Sequence, residues 1–182
     1  GCPFFMVYYL VGFMGSGKST VGRKLANKLN CPFFDTDRLI EERFNLPECE
    51  IIQKYGDSLF HQTEVEILRE FQSLQDAVIS CGGDLPCYAD NMERINAQGT
   101  SIYIQMSPKS LSIRLFNARK KRAQIERHVH DLVSLEQYVE TQLKHHERYY
   151  AEAHLRIKGE DLQMERLIQL IKDYHQNRKR LL

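Results

Sequence analysis

The run Gly12-Phe13-Met14-Gly15-Ser16-Gly17-Lys18-Ser19 satisfies every fixed position of the pattern G-x-x-x-x-G-K-[ST]. It constrains the fold more than any other feature, because such a loop works only between a buried strand and the helix that follows it. Residues 4–11 are an almost unbroken apolar, β-branched and aromatic run, as a strand buried on both faces requires. Beyond the loop, Val21, Leu25 and Leu29 recur at i, i+4 and i+8, which predicts a helix with one apolar stripe. In that setting Gly12, Gly15 and Gly17 let backbone N–H groups converge on phosphate oxygens. Ser16 and Thr20 belong to the same cradle, which the helix N-terminus faces with its partial positive charge. Lys18 supplies a point charge to the outer phosphates, and the Ser19 hydroxyl is placed for Mg²⁺. The segment predicts a site for a nucleotide triphosphate.

A chain of 182 residues fits one α/β domain, 1–182, with a substantial core. Its formal net charge of +1 offers no general attraction to nucleic acid or to an anionic membrane. No apolar stretch approaches the length of a membrane span, and the first predicted strand reads as part of the nucleotide site rather than as a signal peptide. Met6 is a natural start of translation, with Gly1–Phe5 read as a remnant or an upstream extension. Five scattered cysteines, an odd number, suit a reducing, cytoplasmic setting. His128, His130, His145 and His146 raise the question of a metal site, but no cysteine or carboxylate cluster of matching spacing accompanies them.

Further apolar runs predict strands over 32–35, 77–81, 101–105 and 155–157. Amphipathic stretches predict helices over 39–44, 59–74, 89–98, 108–119, 135–153 and 162–178. Strands alternating with helices imply a three-layer α/β/α fold with a mainly parallel five-stranded sheet. Ligands in such sheets sit at the carboxyl ends of the strands, where the phosphate loop falls.

The second predicted strand ends in Asp35-Thr36-Asp37. Phosphoryl transfer to an alcohol asks for one carboxylate beside the metal and another beside the acceptor hydroxyl, and Asp35 and Asp37 suit those two places. The third strand opens into Gly82-Gly83, which permits close approach of backbone and substrate. Arg114 and the run Arg119-Lys120-Lys121-Arg122 precede a polar stretch reaching Ser134. A positive segment there could close over the nucleotide as a lid, residues 114–134, with Arg122 neutralising charge on the transferred group.

Taken together, G-F-M-G-S-G-K-S-T-V-G-R-K-L-A, F-F-D-T-D, the G-D-x-x-F-x-x-x-E run from Gly56 to Glu64, V-I-S-C-G-G and R-K-K-R resemble the shikimate kinase family, in order and spacing over essentially the whole chain. The resemblance implies a P-loop kinase fold with a mobile lid and an acceptor-binding segment at 36–64. It also implies ATP and Mg²⁺ as cosubstrates, and transfer of the γ-phosphoryl group to the shikimate 3-hydroxyl by an enzyme expected to be a monomer. Lys18 and Ser19 would hold phosphate and metal, Asp35 would support Mg²⁺, and Asp37 would bind the acceptor hydroxyls. Arg122 would be the lid arginine, and Arg114 would lie near the adenine.

The acceptor pocket departs from that family. The first arginine that grips the shikimate carboxylate is His61. The second is His146, or His145 if the register shifts by one, and a third glycine after Gly82-Gly83 is Asp84. The usual proline after the lid arginine is Ala123. A guanidinium pairs a carboxylate through two parallel charge-assisted bonds, whereas histidine offers one donor per nitrogen and needs a neighbour to hold its proton. Losing such a clamp costs about 2–5 kcal/mol when it is desolvated. Two readings stay open. Either protonated His61 and His146, with Arg148 or another cation, replace the arginines for shikimate, or the acceptor is an uncharged or cationic alcohol. A third, a nucleotide-binding module without transfer activity, is opposed by the complete set Lys18, Ser19, Asp35, Asp37 and Arg122.

Overall fold

The structure, a computed structural model, describes residues 6–118, 125 and 131–182. Among them, strands β1 (Val7–Val11), β2 (Phe33–Asp35), β3 (Ala77–Ser80), β4 (Thr100–Gln105) and β5 (Leu155–Lys158) form one parallel sheet in the order β2-β3-β1-β4-β5. The helices are α1 (Lys18–Leu29), α2 (Thr36–Phe44), α3 (Glu48–Tyr55), α4 (Asp57–Glu70), α5 (Asn91–Gln98), α6 (Pro108–Asn117), α7 (Leu132–Tyr150) and α8 (Met164–Arg180).

Side chains of a strand alternate between faces, and β1 divides the core accordingly. Tyr8 and Leu10 pack with Leu25 of α1 and with Leu167 and Ile171 of α8. Val7, Tyr9 and Val11 pack on the other face with Ile67 and Leu68 of α4, Ile95 of α5, Leu111 of α6 and Val139 of α7. The expected three layers follow from that division. Leu25 and Tyr9 are fully buried, and each such side chain removed from water contributes about 1.5–3 kcal/mol.

Register brings the chemistry to one edge. Leu10 of β1 and Asp35 of β2 both pair with Ser80 of β3, so the three strands end in one row. Helix boundaries follow their caps. Ser107 caps α6 ahead of Pro108, and Asp131 with Ser134 forms a capping box on α7, which therefore begins at Leu132 rather than 135. Residues 89–98 become helical only from Asn91, because Ala89 adopts a left-handed φ of 48° that a helix excludes. The stretch 59–74 starts at Asp57 and tightens to a 3-10 turn over Phe71–Ser73.

Helix α3 was not expected. It has eight residues behind Pro47 and fully buries only Ile51, too few positions to show a period. The expected lid lies partly outside the described residues, as do Arg119, Lys120, Lys121, Arg122, Ala123, His128 and His130.

Candidate active site

The phosphate loop takes the conformation its glycines allow. Gly12, Gly15 and Gly17 have φ of 151°, 82° and 88°, a region closed to most side chains. A Cβ on Gly12 would stand 2.7 Å from the Ile104 carbonyl oxygen, so only hydrogen fits there. Gly17 precedes α1, whose first turn carries neither an acidic residue nor a side-chain cap. The N–H groups of its first turn and its dipole suit an anion. The Ser16 hydroxyl is buried, with no hydrogen-bond partner among the described residues, an arrangement that fits a phosphate oxygen beside it. Lys18, itself buried, donates from Nζ to the carbonyl oxygens of Gly12 at 2.8 Å and Phe13 at 2.9 Å.

The metal-binding expectation falls on a compact oxygen cluster. Ser19 Oγ donates to Asp35 Oδ2 at 2.6 Å and lies 3.2 Å from Ser80 Oγ. Two hydroxyls and a carboxylate are the hard oxygen donors that Mg²⁺ prefers while it keeps part of its water shell, so these residues fit the ion. Asp35 also caps α2, accepting from the backbone N–H groups of Asp37 and Arg38. Nothing in the local sequence marks Ser80, because its nearness to Ser19 depends on strand pairing rather than local spacing.

Asp37 shares a cleft of about 500 Å³ with Gly15, Gly17, Lys18, Ser19, Thr20, Asp35, Gly83 and Arg114. The paired glycines serve neighbours within the protein. A Cβ on Gly82 would meet Asp37 Oδ1 at 2.4 Å, and one on Gly83 would lie 3.2 Å from the Met14 nitrogen. The Gly82 N–H donates to the buried Thr36 hydroxyl at 2.8 Å, which ties β3 to the start of α2. Arg114 reaches the loop from α6, Nη1 lying 3.4 Å from the Gly15 carbonyl oxygen.

His61, Asp84 and His146 stand outside the lining of that cleft, beyond Gly83. His61 bonds Glu64 at 2.8 Å and stacks on Tyr88 with 4.6 Å between ring centroids. The hydrogen bond to Glu64 leads the causes that raise the His61 pKa, against burial. Burial pushes the Glu64 carboxyl up to about 7, a rise limited by His61. Glu64 carried no assignment of its own in the sequence, although it closes the G-D-x-x-F-x-x-x-E run. His146, not the exposed His145, faces inward and meets Asp84 at 2.8 Å. Burial lowers the His146 pKa, but Asp84 and the Gln142 carbonyl outweigh it and the net shift is upward. Tyr150 donates to the Gly83 carbonyl at 2.6 Å and holds α7 against this wall.

A parallel sheet opened by this glycine loop, with Lys18, Ser19, Asp35 and Asp37 lining one cleft, is an arrangement of the P-loop class to which kinases belong. A family model described as shikimate kinase matches residues 14–175, and the chain belongs to the shikimate kinase family. A shikimate kinase of Bacteroides fragilis is 42% identical over 114 residues, covering 63% of this chain and 64% of its own length. The first of the curated relatives is thus spanned over less than two thirds of its length. One from Phocaeicola vulgatus is 31% identical over 88% of this chain and 91% of its own length. The crystal structure of the Bacteroides thetaiotaomicron shikimate kinase superposes with a TM-score of 0.86 at 31% identity, covering 92% of this chain and 98% of that one. These relatives favour neither an uncharged acceptor nor a module without transfer. No helix among the described residues is long and apolar enough to cross a membrane.

Proposed function

We propose that the chain transfers the γ-phosphoryl group of ATP to the 3-hydroxyl of shikimate. The observation that carries this reading is the shared cleft, where Asp37 stands beside the loop that holds Lys18 and Ser19. Asp37 accepts the hydroxyl proton as the acceptor oxygen bonds to the γ-phosphorus. The bond from that phosphorus to the β,γ-bridging oxygen breaks, and ADP leaves. Lys18 exchanges its carbonyl partners for phosphate oxygens, and the α1 N–H groups and Ser16 hydroxyl take the remaining negative charge. Mg²⁺, when bound, neutralises charge on the outer phosphates, and Ser19 and Asp35 are the residues that would hold it. Arg114 is placed to flank the nucleotide, and Arg122 is the proposed lid arginine. His61 and His146 take the place of the carboxylate-gripping arginines. The shikimate kinase of Acinetobacter baumannii, solved in complex with shikimate, supports the choice of acceptor at 30% identity and a TM-score of 0.83.

The test is ADP release by the purified chain with ATP, Mg²⁺ and shikimate, beside an Asp37→Asn variant. Asp37→Asn should cut turnover by about 100-fold or more while ATP affinity stays within about twofold. Full turnover in that variant would remove Asp37 from the reaction. No shikimate-dependent ADP release by the unaltered chain would remove the acceptor.

A further inference from the structure

Both ring nitrogens of His146 are engaged. Nδ1 lies 2.6 Å from the Gln142 carbonyl oxygen, and Nε2 lies 2.8 Å from Asp84 Oδ1. A carbonyl oxygen only accepts, so Nδ1 carries a hydrogen. An ionised carboxylate also only accepts, so Nε2 carries one too and the ring is an imidazolium. The cation that would greet an anionic acceptor is therefore already bonded to a carboxylate of the protein.

Nothing in the backbone demands a particular residue at that carboxylate's position. Asp84 has φ of −87° and ψ of −17°, open to any residue. Its side chain is 39% exposed while that of His146 is 14% exposed, so the carboxylate is the more solvent-accessible member of the pair. The surroundings of the pair are rich in carboxyl groups, and after burial the charges of Asp37 and Asp84 also raise the Glu64 pKa.

We propose that Asp84 sets acceptor specificity by occupying, on His146 Nε2, the bonding position of the acceptor's own carboxylate, so that shikimate binds only by displacing it. This deepens the proposed transfer to shikimate and rests on it. Capture exchanges one carboxylate for another on the same donor. The pocket therefore gains little from the charge of its acceptor, and a carboxylate-bearing alcohol is only weakly preferred over its uncharged counterpart.

The experiment compares the unaltered chain with Asp84→Gly and Asp84→Asn, using shikimate and its uncharged carboxamide as acceptors. It is run from about pH 5 to 7 and the shikimate KM is taken on the acidic plateau, because without Asp84 burial lowers the His146 pKa and only the Gln142 carbonyl opposes it. In both variants the KM for shikimate should fall about tenfold or more, while kcat, the KM for ATP and the KM for the carboxamide stay within about twofold. An unchanged or raised shikimate KM, in variants whose melting temperature matches the unaltered chain, overturns the proposal. A gain shared equally by the carboxamide also overturns it, because a purely steric effect of Asp84 would not read charge. Absence of shikimate-dependent ADP release in all three proteins, with ATP binding intact, overturns the transfer reading itself and the proposal with it.

Discussion

The Ser19 hydroxyl donates to Asp35 Oδ2 at 2.6 Å while Asp35 Oδ1 accepts the N–H groups that open α2. One carboxylate thus links the residue assigned to the metal with the helix that carries Asp37. The two roles separate by substitution. Asn is as good an N-cap as Asp, whereas Ala caps poorly and costs about 1 kcal/mol. Asp35→Asn should therefore unfold within about 0.5 kcal/mol of the unaltered chain, yet turn over at least tenfold more slowly and need more Mg²⁺. Asp35→Ala should show the same kinetic loss and melt several degrees lower. Identical melting of the two variants would refute the capping role.

Lys18 is held at 2.8 and 2.9 Å by the carbonyl oxygens of Gly12 and Phe13. Its removal leaves two carbonyls less well paired, a loss of about 1–2 kcal/mol, and takes from the loop the positive charge that the proposed transfer assigns to the outer phosphates. Lys18→Ala should keep a native circular dichroism spectrum and lose about 100-fold or more in turnover. Near-normal turnover would take the lysine out of the mechanism.

Gly82 offers a test of how tightly Asp37 is positioned. An added methyl would sit 2.4 Å from Asp37 Oδ1, so the carboxylate must turn away. A displacement of about 1 Å at a reacting group can cost 100-fold in rate. Gly82→Ala should lower kcat by about 10–100-fold and leave ATP affinity unchanged by calorimetry. A fall in ATP affinity of the same size would show that the loop, not Asp37, had moved.

Much of the nucleotide half is legible in the sequence. The strand, loop and helix around Gly12–Ser19 are local and continuous, so the apolar run, the glycines and the i, i+4 stripe agreed on one answer. Asp35 and Asp37 stand out in the sequence only through their place at the end of the strand after that helix, and the structure sets Asp35 against Ser19. Ser80 was not legible, since its place beside Ser19 follows from the pairing of Asp35 with Ser80 across neighbouring strands. The choice between His145 and His146 depended on which face of α7 turns inward. The meeting of His146 with Asp84, 62 residues apart, has no local signature at all. Both departures from the family were visible singly, but their pairing into one ion pair was not.

Acidity supplies the last prediction, because three groups beyond Gly83 titrate in one direction. His61 is raised by its hydrogen bond to Glu64, and His146 is raised on balance by Asp84 and the Gln142 carbonyl, so both rings favour their charged form. Glu64 is raised to about 7 by burial, so it gains negative charge as pH passes that value. Rising pH thus removes cations and adds an anion where the acceptor carboxylate is proposed to bind. Folding follows the same sign. For each raised group the stabilising contribution is complete below the unfolded value, about 6.5 for histidine and 4.3 for glutamate, and is lost as pH climbs through the folded value. Shikimate affinity by calorimetry should weaken about tenfold between about pH 6 and pH 8.5, and the melting temperature should decline over the same interval. Arginine stays charged throughout, so the double variant His61→Arg with His146→Arg should bind more tightly at the alkaline end and flatten the affinity profile. A flat profile in the unaltered chain would mean that neither imidazole meets the carboxylate.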